Sequence, residues 1–372
     1  MVISIQRIGR VLQLSMGLSL GMALYSLYLW GQGKCTDVDL FLEGIYYTSG
    51  GAFAGGILLG LTTYGTKFFD GFRYYIHSGL RYGLVYMLVT YAMSVLLDIS
   101  FPDSLMSLER KVADISSQDL VWVFFGHTYT YQAFIGWMQI AGCGLLLFRA
   151  TAPAGLLIHL AIMSNVFIIQ RSYGLCQQYE AIIYLATVTF LLLPFVRNLI
   201  NVLLLNKPTI TLERMEWAVG IHAYRATAVL KLILLMGIAI LYYNKTRRFH
   251  RYYFANSNSP FIGVWNIDQI EYQPDQDSVY RDWDKIYAFQ SLFLEKRRFG
   301  AVKSEDTLSL FEYMIDTKHN RIEFWNFHKY RSFDFKGNYK MIAPDTMLYT
   351  GMNHGDRMVL RLSLDKKYKT MR

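Results

Sequence analysis

The stretch that decides the fold is Gln132–Phe148, QAFIGWMQIAGCGLLLF, followed after three residues by Ala152–Gln170, APAGLLIHLAIMSNVFIIQ, and then by Tyr179–Val196, YEAIIYLATVTFLLLPFV. At about 1.5 Å per residue each run is long enough as a helix to cross most or all of a hydrocarbon layer of about 30 Å. Turns of a few residues between them predict neighbouring antiparallel helices, so the block from Trp122 to Asn206 reads as part of a membrane bundle.

Working outward, four further apolar segments complete a set of seven spans: Gly9–Trp30, Phe41–Tyr64, Leu80–Ile99 and, after an amphipathic connector over Asn198–Arg225, Ala226–Tyr243. The first follows Arg7 and Arg10, has no small-residue cleavage site after it, and is too long for a signal-peptide core, so it is expected to remain as an anchor. In the second, Gly51, Gly55 and Gly56 with Ala52 and Ala54 offer small surfaces on which helices in lipid pack closely. Lys67, Arg73 and Arg81 are expected to flank a turn before the third.

Composition agrees. The 372 residues are 53% hydrophobic, 16% aromatic and only 17% charged, which excludes an ordinary soluble chain. The net charge of +9 sits in short loops beside apolar segments, where basic residues set membrane orientation, so nucleic-acid binding is not expected. Ten basic residues fall on the N-terminal side of the bundle and eight on the other, or four without the cluster from Lys245 to Arg251. The positive-inside rule then puts the N-terminus in the cytoplasm and the C-terminal part outside.

From Pro260 the periodicity changes to that of strands. Six aromatic and β-branched runs, at Phe261–Ile267, Lys285–Leu294, Thr307–Asp316, Arg321–His328, Thr346–Thr350 and Arg357–Leu364, alternate with turn signals. Lys318-His319-Asn320, Lys336-Gly337-Asn338 and His354-Gly355-Asp356 are read as turns. The expected organisation is a transmembrane helical domain over 1–249 and a soluble antiparallel β-domain over 257–372, a small barrel or sandwich. Gly263-x-Trp265 is similar to the opening of lipocalin-like barrels.

Within the bundle the residues resemble the DoxX family of bacterial membrane proteins, in its long Bacteroidetes variants. The resemblance rests on Trp122-x-Phe124-x-Gly126, Phe134-Ile135-Gly136, the run Gly144 to Phe148 with Arg149 and Thr151, Asn165-Val166, Tyr173, and Leu191-Leu192-x-Pro194-x-x-Arg197, with Arg81-Tyr82, Tyr91 and Phe101-Pro102 upstream. It implies a four-helix core over about 80–206 and, by analogy, quinone-linked redox chemistry. Four positions at which the family pattern carries charge are neutral here: Val95, Gln139, Gly174 and Gln178. Intramembrane charges are costly and are kept for function. Their joint absence points to a bundle kept as a scaffold, without the family's chemistry.

The candidate residues for chemistry each have a plainer reading. His127, near the hydroxyls of Tyr129 and Tyr131, and His159 are the candidates for a quinone or haem, but no pair stands at ligand spacing, and no cofactor or metal is expected. Glu180 reads as a carboxylate favoured by a helix N-terminus. Asp275, Asp277, Asp282 and Asp284 lack the glycine and closing glutamate of a calcium loop. Cys143 is a packing residue, whereas Cys35 and Cys176 fall in loops on the outer face and are candidates for a disulfide. Phe324, Trp325, Phe327, Tyr330, Phe333 and Phe335 crowd the middle strands, and those not needed inside the barrel are candidates for a partner-binding patch.

The expectation is thus a non-enzymatic inner-membrane protein whose external, periplasmic β-domain docks to membrane or periplasmic proteins of an envelope assembly, with a homo-oligomer compatible. The alternatives are a membrane subunit of a quinone-linked oxidoreductase and a solute transporter. The last would want inverted repeats and broken helices bearing charges.

Overall fold

A computed structural model of the chain describes residues 5–30, 38–97, 115–207, 235–244, 261–273, 288–296, 298–305, 307–325, 335–353 and 356–367, together with Leu105 and a few isolated positions between 229 and 259. The chain divides into two compact units, 1–102 with 116–243, and 103–115 with 244–372.

The first unit is helical: α1 (Ile5–Trp30), α2 (Val38–Thr63), α3 (Lys67–Leu96), α4 (Ser117–Gly126), α5 (Tyr129–Leu146), α6 (Ala152–Ser172), α7 (Gln178–Leu192) and α8 (Val196–Leu203), with α9 at Leu235–Asn244. Local chemistry sets the boundaries. Gly65 supplies a φ of +84° and Thr66 caps α3 by accepting from Phe69 N at 3.2 Å, so the turn lies at 64–66 while Arg73 and Arg81 lie within the helix rather than beside a turn. Ser116 caps α4 in the same way, accepting from Asp119 N at 3.1 Å. Pro153 stands in the first turn of α6, and Pro194 tightens the end of α7 into a 3₁₀ turn before α8.

Helices α3, α5, α6 and α7 pack in sequence and α7 returns to α3, making a four-helix core. Leu84, Leu88, Val89, Leu146, Leu156, Met163 and Val188 fill its middle. Leu235, Ile238 and Ala239 of α9 pack against the same core. Outside it, α1 lies along α2 and also touches α3 and α7. Gly56 and Gly60, not Gly51 and Gly55, carry the α1–α2 contact: a Cβ on Gly56 would stand 2.7 Å from Ser15 Cα, while Gly51 and Gly55 face open space.

Among the described residues, four stretches, Arg7–Leu29, Lys67–Leu96, Ala152–Ser172 and Gln178–Val202, are long and apolar enough to cross a membrane. Leu29, Leu40, Tyr46, Leu58, Phe124 and Trp137 are exposed on the helices. A surface so apolar suits hydrocarbon better than water.

The second unit is a closed barrel of eight antiparallel strands in sequential order. They are β1 (Gly263–Gln273), β2 (Phe289–Leu294), β3 (Phe299–Ser304), β4 (Thr307–Asp316), β5 (Arg321–Trp325), β6 (Phe335–Ala343), β7 (Thr346–Asn353) and β8 (Asp356–Leu364), and β1 closes on β8 from Trp265↔Leu364 to Gln273↔Arg357. Two strands exceed the six runs read from the sequence. Lys336-Gly337-Asn338 is not a turn but the middle of β6, paired with Met352, Gly351 and Thr350. The glycine is there because a Cβ would stand 2.1 Å from Thr350 O.

An eight-stranded barrel has an interior that side chains can fill. Here Trp265, Phe311, Tyr313, Phe324, Phe335 and Tyr349 do so, each buried, with Met347 and Leu362. Trp265 anchors one end by donating Nε1–H to Phe261 O at 2.8 Å. Asn256, also buried, extends the ladder of β4 beyond its pairing with β3: its Nδ2 donates to Tyr313 O and its Oδ1 accepts from Ile315 N. On the outside, Leu105 packs with Val264, Phe293 and Ala301.

Candidate functional site

The helical unit contains a cavity of about 370 Å³ at one end of the four-helix core. Six helices and one turn line it: Tyr91, Ser94 and Val95 of α3, Trp122 and Phe125 of α4, Tyr131 and Gln132 of α5, Asn165 and Gln170 of α6, Gln177 of the α6–α7 turn, Glu180 of α7, and Tyr242 of α9.

The α6–α7 turn presents Gln177 and Glu180, and the sequence builds it in a recognisable way. Gly174 takes a φ of +67°. Leu175 N then donates to Gln170 O at 2.8 Å and Gly174 N to Arg171 O at 3.3 Å, the pair of bonds that closes a helix with a left-handed glycine after its cap. Leu175 is buried and pins the turn inward. Two amides brace the walls: Gln118 Nε2 donates to Gly174 O at 2.9 Å, and Gln132 Nε2 donates to Phe125 O at 2.7 Å.

The polar lining combines acceptors with donors, the latter being the hydroxyls of Tyr91, Ser94, Tyr131 and Tyr242, the Trp122 indole N–H and side-chain amides. Glu180 is 5% exposed and Gln132 2% exposed. The side-chain oxygens of Gln132, Gln170 and Gln177 are buried without a hydrogen-bond partner. For Gln132 the assignment of oxygen and nitrogen is fixed chemically, because a carbonyl such as Phe125 O can only accept. Among the described lining residues there is no lysine, arginine or histidine. A buried carbonyl oxygen left unpaired costs about 1–3 kcal/mol, so a donor that reached Gln132, Gln170 or Gln177 would be favoured there.

The candidate residues read from sequence are dispersed. Glu180, expected only to favour a helix N-terminus, is in the cavity, as is Tyr91. His159 is fully buried elsewhere in the core, with Nε2 3.6 Å from Cys143 Sγ and no partner for Nδ1. A Cβ on Gly142 would come within 2.7 Å of that Nε2, so the ring is wedged between α5 and α6 and has no open side for a haem. His127 is exposed at the end of α4. Neither histidine lines the cavity.

Gln139 is fully buried with both amide atoms unpaired, and Val95 lines the cavity. Cys143 is free and buried. Cys176 is disulfide-bonded, and Cys35 lies outside the described residues.

On the barrel the proposed aromatic patch is corrected. Phe324 and Phe335 point into the packed interior, because alternation puts every second residue of β5 and β6 inside. Trp325 faces outward beneath Arg298, whose guanidinium lies 4.7 Å from the ring centroid and pairs with Glu312 at 3.2 Å. Phe327, Tyr330, Phe333 and the carboxylates from Asp275 to Asp284 lie outside the described residues. No group of three or more metal-ligating side chains stands together among the described residues.

What fold and site define is a helical unit suited to a membrane, with a partly polar cavity lined by aromatic side chains, joined to a β-barrel with a filled interior. No family model and no solved structure matches the chain. An uncharacterized protein YwoB of Bacillus subtilis (strain 168) is 34% identical to it over 56 residues, covering 15% of this chain and 36% of that protein. The chain thus spans about a third of the length of the curated relative it matches.

Proposed function

We propose that this chain is a multi-pass protein of a bacterial inner membrane, in which a DoxX-like unit of seven spans holds a small amphiphilic molecule in the Glu180 cavity. Its barrel, on the periplasmic side, docks to partners of an envelope assembly without catalysing a reaction. The cavity carries the reading: a space of about 370 Å³ with aromatic walls and a few convergent polar groups has the size and character of a small-molecule site. Val95 and Gln139, neutral where the resemblance expects charge, favour binding over proton or electron relay. The barrel's packed interior favours action through its outer surface. A disulfide at Cys176 supports placing the α6–α7 turn, and the cavity beside it, on the oxidising face.

The test is extraction of the protein purified from native membranes, followed by identification of whatever is retained. A retained amphiphile, lost in Trp122→Ala at unchanged abundance, is the expected result. Affinity purification tests the docking role in the same preparation. A second reading, a subunit of a quinone-linked oxidoreductase, draws on the hydroxyls of Tyr91 and Tyr131 in the same cavity, either of which could hydrogen-bond a quinone carbonyl. A stoichiometric quinone in the extract, reduced or oxidised by an added donor, would replace the first reading with the second.

A further inference from the structure

We infer that Arg81, Tyr82 and Lys231 form a site for the phosphodiester headgroup of an anionic phospholipid. The site lies outside the cavity, and it rests on the membrane placement proposed above but not on the cavity's ligand. Arg81 and Tyr82 belong to α3, and Lys231 is helical one turn before α9 begins. The Arg81 guanidinium stands 5.0 Å and the Lys231 ammonium 6.0 Å from the centroid of the Tyr82 ring. Arg81 Nη2 also donates to the Tyr82 hydroxyl at 3.3 Å. Two like charges are thus drawn to one phenol, and neither makes an ion pair among the described residues.

Cations that only snorkel from a membrane boundary reach out into water. Arg81 and Lys231 instead converge, and their mutual repulsion calls for a counter-ion. The unused donors define what that counter-ion must accept. Arg81 presents five N–H bonds, of which Tyr82 takes one, and its Nε–H is buried without a partner. The Tyr82 oxygen accepts from Arg81, so its own hydrogen remains to be donated. A guanidinium, an ammonium and a phenol gathered in this way match the free oxygens of a phosphate, and charge-assisted bonds to phosphate are the stronger kind.

Position decides between a lipid phosphate and a dissolved one. Arg81 and Lys231 stand near the starts of the third and seventh spans read from the sequence, two odd-numbered spans that enter the bilayer from the same face, where headgroups lie. Beside them the surface is apolar, since Tyr86 on α3 and Ile233 and Met236 on the last helical stretch are all exposed. Acyl chains carried by the phosphate have that surface to lie along. Basic pockets between transmembrane helices are a recurring form of anionic-lipid site.

The experiment reconstitutes the full-length protein in nanodiscs of phosphatidylcholine with graded fractions of phosphatidylglycerol, and counts by native mass spectrometry the lipids that stay bound after transfer to detergent. Retention of phosphatidylglycerol in preference to phosphatidylcholine is expected. The preference should fall by about tenfold to a hundredfold in Arg81→Gln and in Lys231→Gln, the range for losing a hydrogen bond to a charged group. Tyr82→Phe, which keeps the ring and removes the hydroxyl, should lower it less. Thermal melting is measured for each, and because the two cations stand on different helices, one variant remains informative if the other does not fold. An equal loss in Lys67→Gln, which removes an exposed charge at the start of α3, would overturn the site in favour of diffuse attraction to a basic surface. Displacement of phosphatidylglycerol by millimolar inorganic phosphate would overturn the lipid assignment in favour of a dissolved anion. Equal retention of both lipids by the wild type would overturn the site and leave the membrane placement standing, whereas failure of the protein to enter nanodiscs would overturn that placement and this inference with it.

Discussion

Asn256 uses both ends of its amide on β4, where the strand has outrun its neighbour: β3 pairs with β4 only as far as Phe299↔Glu312, and Tyr313 O and Ile315 N find Asn256 instead. Asn256→Ala strands a donor and an acceptor in the barrel wall. The expected cost is about 1–3 kcal/mol in urea unfolding, with the slope unchanged. The buried phenols predict the response to alkali. Burial raises the Tyr313 hydroxyl well above the ordinary tyrosine value, reinforced by the Glu295 charge, and burial raises Tyr349 as well. Tyr313 donates to Glu295 O and Tyr349 to Ile322 O at 3.5 Å. A group whose pKa is higher folded than unfolded stabilises the fold below its unfolded value, about 10 for tyrosine, and loses that contribution as pH rises further. The barrel should therefore hold to about pH 10 and then unfold, its phenolate absorbance rising together with loss of β-type circular dichroism. Tyr349→Phe, which removes one ionising group and one long hydrogen bond, should unfold at higher pH than the wild type. Phenolate absorbance that rises well before unfolding would show these rings to be open to solvent.

At the scale of the element, the turn from Tyr173 to Gln177 holds the candidate site together. Gly174→Ala forces a Cβ into a left-handed conformation at a cost of about 1–2 kcal/mol. It should also loosen Gln177 and Glu180, lowering melting temperature and ligand retention together. A melt shifted with retention unaffected would mean that the turn supports the fold but not the cavity. This element also marks where reading the sequence stops. The apolar runs that became α1, α2, α6 and α7 are legible because they are long and unbroken, and their ends fall within a few residues of the expected ones. The start of α3 was not, because Arg73 and Arg81 look like loop residues although a helix surface accommodates them. Strand β6 was missed because Gly337 looks like a turn, when a neighbouring strand at Thr350 demands it. The cavity was only partly visible. Glu180 and Tyr91 stand out singly in the sequence, while Gln132, Gln170 and Gln177 are ordinary glutamines until six helices bring the lining to one place. No local pattern encodes that convergence. The same holds for Phe324 and Phe335, since composition cannot say which face of a strand is the inside.

For the whole molecule, division into two units predicts that residues 244–372 fold alone. Their barrel has its own filled core, and a domain of that size with such a core is of the kind that folds independently. The isolated fragment should be soluble, give a β-type circular dichroism spectrum and melt cooperatively. A helical or disordered spectrum would mean that the barrel depends on the rest of the chain. Because Leu105, from the segment between α3 and α4, packs with Val264, Phe293 and Ala301, the fragment should melt somewhat below the same barrel in the full chain, and a peptide of residues 103–115 added in trans should restore part of the difference.

The pairing of β1 with β8 has one more consequence. A sheet with a first and a last strand offers unpaired backbone to any extended peptide that passes, and recognition can then be largely indifferent to side chains. Closing the ring, from Trp265↔Leu364 round to Gln273↔Arg357, removes that option along those residues. Whatever grips this barrel there must read its side chains one by one, the way a key reads pins, and substitutions on its outer face should change the choice of partner while leaving the barrel itself intact.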